Sequence, residues 1–118
     1  MKPYERLRAW EANHQLVLGI YKATHQWPKS EVYGLISQAR RAAFSVPFNS
    51  AEGSAKRGSR EFRRFLDIAL GSMAELSYCL RMAMELDYLT ASQWQEIENQ
   101  RDQEGKLLWR LYQAICKG

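Results

Sequence analysis

The sequence predicts an all-α protein, an antiparallel up-and-down four-helix bundle that forms one domain over residues 1–118. Apolar residues recur at helical spacing in four segments, and only short polar connections separate these segments. Short connections place consecutive helices side by side, which is the arrangement of an up-and-down bundle. With 118 residues, 46% of them hydrophobic, the chain is long enough to build one core.

The first helix is predicted from an apolar stripe at steps of three and four residues. The stripe consists of Trp10, Val17, Ile20 and Thr24, widened by Ala9, Leu16 and Ala23. We expect this helix to end near Gln26, because Pro28 has no backbone N–H and disfavours helical geometry at the residue before it.

The second helix is expected to begin close to Val32 and to stop at Gly53. Pro47 lies inside it and leaves the carbonyl of Ala43 without its helical donor, so the helix should bend there or be stabilised by nearby polar groups. The candidates for this stabilisation are Ser45, Asn49 and Ser50.

The third helix is predicted to run from an N-cap at Ser59 to about Leu86. Its apolar stripe is the longest in the chain: Phe62, Phe65, Leu66, Ala69, Met73, Leu76, Leu80 and Ala83. The fourth helix follows a capping box formed by Thr90 and Gln93. Its buried side should carry Trp94, Ile97, Leu108, Leu111 and Ile115, with Arg101 in phase in the polar middle.

Three glycines lie inside these predicted helices: Gly19, Gly71 and Gly105. Each costs roughly 1 kcal/mol of helix stability relative to alanine, and close approach of neighbouring helices would explain them. This interpretation predicts that Gly71→Leu disrupts the bundle.

Composition excludes several classes of protein. No apolar run approaches the roughly 20 residues that a membrane span requires, and the first six residues lack the apolar stretch of a signal peptide, so we expect a cytoplasmic protein without membrane contact. Cys79 and Cys116 fall in helical patterns and are expected to be buried free thiols.

The net charge of +4 is distributed unevenly. Residues 1–64 contain 12 of the 17 basic and 5 of the 13 acidic side chains, whereas the remaining residues carry a net charge of −3. A positive first half favours nucleic acid, an acidic partner or a complementary subunit.

Seven basic residues flank the connection between the second and third helices: Arg40, Arg41, Lys56, Arg57, Arg60, Arg63 and Arg64. Guanidinium groups bind phosphate in bidentate fashion and release counterions, so these residues are the candidate nucleic-acid-binding set. A solvated face, or salt bridges to Glu52, Glu61 and Asp67, explains them equally well.

Asn49, Glu52 and Glu75 are the polar residues nearest the predicted core or subunit borders. A buried carboxylate must be paired, and Arg40 or Arg41 is the expected partner. A structural role is favoured over a catalytic pair, because no activated nucleophile or nearby histidine accompanies them.

One Glu-x-x-His element, formed by Glu11 and His14, matches the metal-binding pattern of di-iron bundles. Such sites need two of these elements and two further glutamates. We therefore expect no metal and no cofactor.

Phe44 and Phe48 lie four residues apart on one helical face. They suit either the core or a subunit interface.

The second and third helices carry a characteristic combination of residues: Tyr33-Gly34-Leu35, Ser37-Gln38, Arg40-Arg41-Ala42-Ala43, Ser45-Val46-Pro47, Asn49, Ala51-Glu52-Gly53, Phe62, Phe65-Leu66, Ala69-Leu70-Gly71-Ser72 and Glu75-Leu76. In this combination the chain resembles the bacterial four-helix bundle family known from proteins encoded in intervening sequences of large-subunit ribosomal RNA genes. It departs from the family pattern at Ala39, Phe44, Phe48 and Ser50.

The resemblance implies an up-and-down bundle that assembles into a ring-shaped homopentamer. A diverged relative is the accessory protein of diversity-generating retroelements, which binds nucleic acid together with a reverse transcriptase. Five residues of the motif are interpreted as determinants of shape and assembly: Pro47, Asn49, Glu52, Gly53 and Glu75.

The expected function is that of a non-enzymatic oligomer which binds RNA or DNA non-specifically through repeated basic patches. An adaptor for an acidic protein partner is the first alternative. The second is a metal- or carboxylate-dependent enzyme, for which the sequence lacks a complete site.

Overall fold

Four helices make up nearly all of the computed structural model, which describes residues 3–117 and the side chains of residues 8–117. They are α1 (Pro3–Thr24), α2 (Leu35–Ala55), α3 (Ser59–Glu85) and α4 (Ala91–Lys117). Each helix packs on the next, α1 also packs on α4, and no strand occurs in the part described. The four-helix bundle is therefore confirmed. Met1, Lys2 and Gly118, at the ends of the predicted domain, lie outside the described residues.

The core consists of the apolar stripes that the spacing predicts. Its fully buried side chains come from all four helices: Leu16, Ile20, Val46, Leu66, Leu76, Leu80 and Leu108. Trp94 and Ile97 of α4 pack against this cluster while only partly buried. No helix in the described part of the chain is both long enough and apolar enough to cross a membrane.

The connection between α1 and α2 differs from the prediction. The first helix ends at Thr24, whose hydroxyl donates to the Ile20 carbonyl (2.7 Å), and a 3-10 helix occupies Lys29–Glu31. The second helix starts at Leu35 rather than near Val32. Glu31 accounts for this start, because its carboxylate accepts the Leu35 N–H (3.1 Å) and the Tyr88 hydroxyl (2.8 Å).

The α2 helix continues through Pro47 and past the predicted stop at Gly53. The amide of Asn49 and the hydroxyl of Ser50 donate to the carbonyls of Ser45 (2.8 Å) and Val46 (2.9 Å). Both bonds run to the carbonyl four residues back, which the helix already satisfies, so the predicted replacement of the donor missing at the Ala43 carbonyl is not what these side chains provide.

Glycine roles also differ from the prediction. Gly53 is buried, and a Cβ there would lie 2.9 Å from both Phe62 Cδ1 and Phe65 Cβ, so this glycine permits close approach of α2 and α3. Gly71 is exposed, and no atom of the described residues outside its own helix backbone and chain neighbours lies within 4 Å of its Cβ position. The close approach of helices expected at Gly71 is therefore wrong for the single subunit, and with it the reason to expect that Gly71→Leu disrupts the bundle.

Of the two N-terminal caps predicted for α3 and α4, the first is wrong and the second is confirmed. Gly58, not Ser59, is the N-cap of α3, and its φ of 85° lies in the left-handed region that favours glycine. The capping box at α4 is confirmed, since Thr90 Oγ1 accepts the Gln93 N–H (3.1 Å) and Gln93 Oε1 accepts the Thr90 N–H (2.9 Å).

The two cysteines are free but differ in burial. Cys79 is buried, and burial raises the pKa of its thiol. Cys116 is exposed, contrary to the expectation for both residues.

Candidate nucleic-acid interface

The seven predicted basic residues do not form one cluster. Arg40 and Arg41 lie in the first half of α2, whereas the other five surround the turn between α2 and α3. At 1.5 Å per residue, Arg41 and Lys56 are separated by about 22 Å along the helix axis. We call the group of five, Lys56, Arg57, Arg60, Arg63 and Arg64, the basic turn.

Arg40 is tied to the end of α1. Its Nε donates to Thr24 Oγ1 (2.8 Å), a terminal nitrogen donates to the Tyr21 carbonyl (3.4 Å), and the guanidinium lies 4.7 Å from the centre of the Tyr21 ring. The Tyr21 carbonyl already accepts the His25 N–H (3.2 Å) and the Thr24 hydroxyl (3.2 Å), so Arg40 adds a further, longer contact to the last turn of α1. Its main contacts are therefore structural.

Arg41 pairs with Glu75 of α3, one of the partners that the sequence suggests. Both side chains are about half exposed, whereas the sequence predicts a buried carboxylate that must be paired. An exposed ion pair of this kind contributes at most about 1 kcal/mol to stability. The other predicted carboxylate, Glu52, lies 3.8 Å from Lys56 rather than beside Arg40 or Arg41.

The remaining cations of the basic turn fall into two kinds. Lys56 and Arg64 lie over the Phe65 ring at 5.7 and 4.6 Å from its centre, and Arg64 is also 3.5 Å from Glu61. Arg57, Arg60 and Arg63 are exposed, and within residues 8–117 no acidic group lies within 4.0 Å of their guanidinium nitrogens.

Local structure brings two of the three unpaired arginines, Arg60 and Arg63, together beside the turn that carries Arg57. Gly58 allows the tight turn that starts α3, and Arg60 and Arg63 are three residues apart on the solvent side of its first turn. They line a surface hollow of about 430 Å³ together with Glu61, Arg64 and Asp67. The helix N-terminus adds its positive dipole to this end of the bundle.

A second hollow, of about 390 Å³, lies at the other end of α2 and was not foreseen from the sequence. The hollow is lined by one residue of α1, one residue just before α2 and five residues of α2: Tyr21, Val32, Ile36, Ser37, Arg40, Arg41 and Phe44. Tyr21 follows the core residue Ile20 but lies outside the apolar stripe of α1, and this position in the sequence indicates that its ring is exposed.

Phe44 and Phe48 are not core residues. Their side chains are 52% and 50% exposed, and their ring centroids lie 5.5 Å apart at an interplanar angle of 27°. The structure thus excludes one of the two interpretations that the sequence left open.

Asn13 and Glu104 are two of the five buried polar residues among those described, and both lie away from the basic turn. Asn13 is 1% exposed, and neither of its side-chain polar atoms has a partner among the described residues. Glu104 is 7% exposed, and burial raises the pKa of its carboxyl to about 7, against a hydrogen bond from the Gln100 amide (3.3 Å) that lowers it. Glu104 is not among the predicted buried residues, yet it lies three residues after Arg101 and four before Leu108, so the spacing of the buried side of α4 is the signal that identifies it.

The Glu-x-x-His element does not extend into a cluster of ligands. His14 stacks on Trp10 with ring centroids 5.1 Å apart. Among the side chains described, no three His, Cys, Asp or Glu residues are grouped so that they could hold a metal ion.

Comparison with known proteins identifies the family. The chain is similar to a protein of unknown function from the S23 ribosomal protein family of Bacteroides thetaiotaomicron, solved by crystallography at 1.70 Å resolution. The two share 20% sequence identity with a TM-score of 0.84, over 92% of this chain and 98% of the other, a likeness that shows the fold. No curated protein matches the chain. The model of the 23S rRNA-intervening sequence protein family matches residues 5–110, and the chain therefore belongs to that family.

Proposed function

We propose that this protein is a non-enzymatic, cytoplasmic homo-oligomer that binds nucleic acid non-specifically through the basic turn, repeated once in each subunit. One observation carries the proposal: Arg57, Arg60 and Arg63 are exposed at one end of the bundle without an acidic partner among the described residues. Guanidinium groups that are not already paired can each neutralise a phosphate and release its counterion.

The acidic residues near the basic turn support a binding role rather than a catalytic one. Glu52 and Glu61 lie 3.8 and 3.5 Å from Lys56 and Arg64, so each of these carboxylates stands beside a cation. Glu61 shares its hollow with Asp67, but three arginines line the same hollow. A carboxylate-dependent enzyme would need a pair of acids directed at one substrate.

Assembly into an oligomer, a pentamer by family resemblance, would multiply the basic turn. The exposed apolar side chains Ile68 and Tyr78 on α3 and Trp109 on α4 support it, since 43%, 67% and 48% of their surfaces are open in the single subunit. A ring of subunits would present several basic turns to one polyanion, and linked contacts raise the overall affinity. The distant resemblance to the retroelement accessory protein supports the same class of ligand.

The test is a salt titration of binding to a labelled RNA duplex, with Arg57, Arg60 and Arg63 all changed to Gln. Each lost phosphate contact lowers the slope of log affinity against log salt by about 0.9, so we expect a slope lower by about 3 per bound subunit and an affinity at least about tenfold weaker. The control changes Arg81, Lys106 and Arg110 to Gln, which removes the same charge from α3 and α4.

An unchanged slope in the basic-turn variant, or an equal loss in the control, would contradict the proposal. Polyglutamate serves as a second probe in the same titration. Tighter binding to polyglutamate than to RNA would favour the adaptor for an acidic protein partner instead.

A further inference from the structure

We infer that the ligand is single-stranded nucleic acid, whose unpaired bases stack on Phe44 and Phe48 while its phosphates bind the basic turn. This inference rests on the proposed nucleic-acid binding and names its substrate class. It follows from exposed aromatic rings and from the distribution of charge along α2.

The two phenylalanines leave apolar surface open that the fold does not use. Burial of a phenylalanine side chain stabilises a protein by roughly 1.5–3 kcal/mol, yet both rings are about half exposed and face the same side of α2. With centroids 5.5 Å apart, the two rings form one exposed aromatic platform. Stacking on aromatic rings is the usual means by which proteins bind unpaired bases without sequence preference.

The hollow at the start of α2 adjoins this platform, because Phe44 also lines it. Its other walls include the Tyr21 ring and the guanidinium groups of Arg40 and Arg41, and Arg40 already stacks on Tyr21. Unpaired, unstacked bases bind proteins by stacking on aromatic rings and on arginine guanidinium planes, and this hollow offers both. A duplex keeps its base faces covered and cannot use these rings.

Charge along α2 favours a polyanion as the occupant. The platform lies between Arg40 and Arg41 on one side and the basic turn on the other, over about 22 Å of helix. Glu52 is the only acidic residue in α2, and it lies 3.8 Å from Lys56. Arg41 is already paired with Glu75, so the free positive charge lies at the basic turn. Two copies of this face placed against each other would bring their basic turns together, whereas a nucleic-acid strand is complementary to the unpaired arginines there.

The experiment compares the binding of labelled oligouridine with that of an RNA duplex of equal length. Changing both Phe44 and Phe48 to Leu keeps the apolar character and every charge but removes the rings. We expect this variant to lose about tenfold or more in affinity for oligouridine and to keep wild-type affinity for the duplex. The basic-turn variant should lose affinity for both.

Three results would overturn the inference. Oligouridine binding that is unchanged by the Leu substitutions excludes stacking, and equal wild-type affinity for the two probes excludes a single-strand preference. A smaller sedimenting mass of the Leu variant, with oligouridine binding retained, assigns the face to a second copy of the chain. If the wild-type protein binds neither probe, the proposed function itself is wrong. This outcome differs from the three above, in which the wild-type protein still binds nucleic acid.

Discussion

Glu104 shows how one side chain in the interior couples stability to pH. Its carboxyl is buried, and desolvation disfavours the charged form more than the hydrogen bond from Gln100 favours it. The folded-state pKa of about 7 therefore lies above the ordinary value of 4.5. Glu31 shifts in the opposite direction, because the Leu35 N–H and then the Tyr88 hydroxyl lower the pKa of its carboxyl.

The raised pKa of Glu104 predicts a loss of stability with rising pH. Below pH 4.5 the carboxyl is protonated in both states, and as pH rises to about 7 the unfolded chain ionises first, so the free energy of unfolding falls. We expect Glu104 to lower it by up to about 3 kcal/mol over this interval. Urea denaturation at several pH values measures the effect.

Comparison with Glu104→Gln isolates this contribution, since Glu31 and the other acids titrate equally in both proteins. The difference in unfolding free energy should grow between pH 4.5 and about 7 and stay constant above it. Glu96→Gln, at an exposed position of α4, is the matched control. A difference that is independent of pH would show that Glu104 ionises normally in the folded protein.

Individual cations illustrate the limit of sequence reasoning at this scale. Arg40 and Arg41 look alike in the sequence, yet one donates to Thr24 and Tyr21 at the end of α1 and the other pairs with Glu75 of α3. Thr24 and Glu75 are 16 and 34 residues away from them in the chain. Local spacing carries no information about partners so distant.

At the scale of elements, the contact between α2 and α3 depends on Gly53. Ser72 of α3 donates a hydrogen bond to Ser45 of α2 (2.7 Å), and Gly53 allows the same two helices to approach at Phe62 and Phe65. Helix spacing in bundles is set by the side chains at the contact, so a missing Cβ permits close approach.

Replacing Gly53 by Ala tests this close approach, with Gly71→Ala as the matched control. Alanine gains roughly 1 kcal/mol of helix stability at either site, but at Gly53 its Cβ meets atoms at 2.9 Å, and overpacking costs roughly 1–3 kcal/mol. We therefore expect Gly71→Ala to stabilise the fold. The free energy of unfolding of Gly53→Ala should be lower than that of Gly71→Ala by the overpacking cost of roughly 1–3 kcal/mol. Equal unfolding free energies of the two variants would show that α2 and α3 can move apart freely.

In the whole molecule, the unpaired positive charges and the exposed apolar side chains of α3 lie on different surfaces. The unpaired arginines of the basic turn lie at one end of the bundle, whereas exposed apolar side chains on α3 surround Gly71. The proposed function assigns the first surface to a polyanion and the second to assembly.

Gly71→Leu tests whether the exposed side of α3 is used in assembly. The added side chain meets no described atom within 4 Å of its Cβ position, so the unfolding midpoint should be retained. Between Ile68 and Tyr78 it would fill space needed by a second subunit, and we expect a smaller mass in sedimentation equilibrium. Gln103→Leu, on the exposed side of α4, is the control, and an unchanged mass for Gly71→Leu would exclude this face from the interface.

The sequence by itself determined the four helices, most of the core and the capping box at Thr90, because each depends on the spacing of residues within one segment. Only the tertiary structure decided which cations are unpaired, that Phe44 and Phe48 are exposed, and that Gly53 rather than Gly71 lies at a close contact. Each of these depends on side chains from other helices, and a periodicity of 3.6 residues identifies the inner face of a helix without showing what lies opposite.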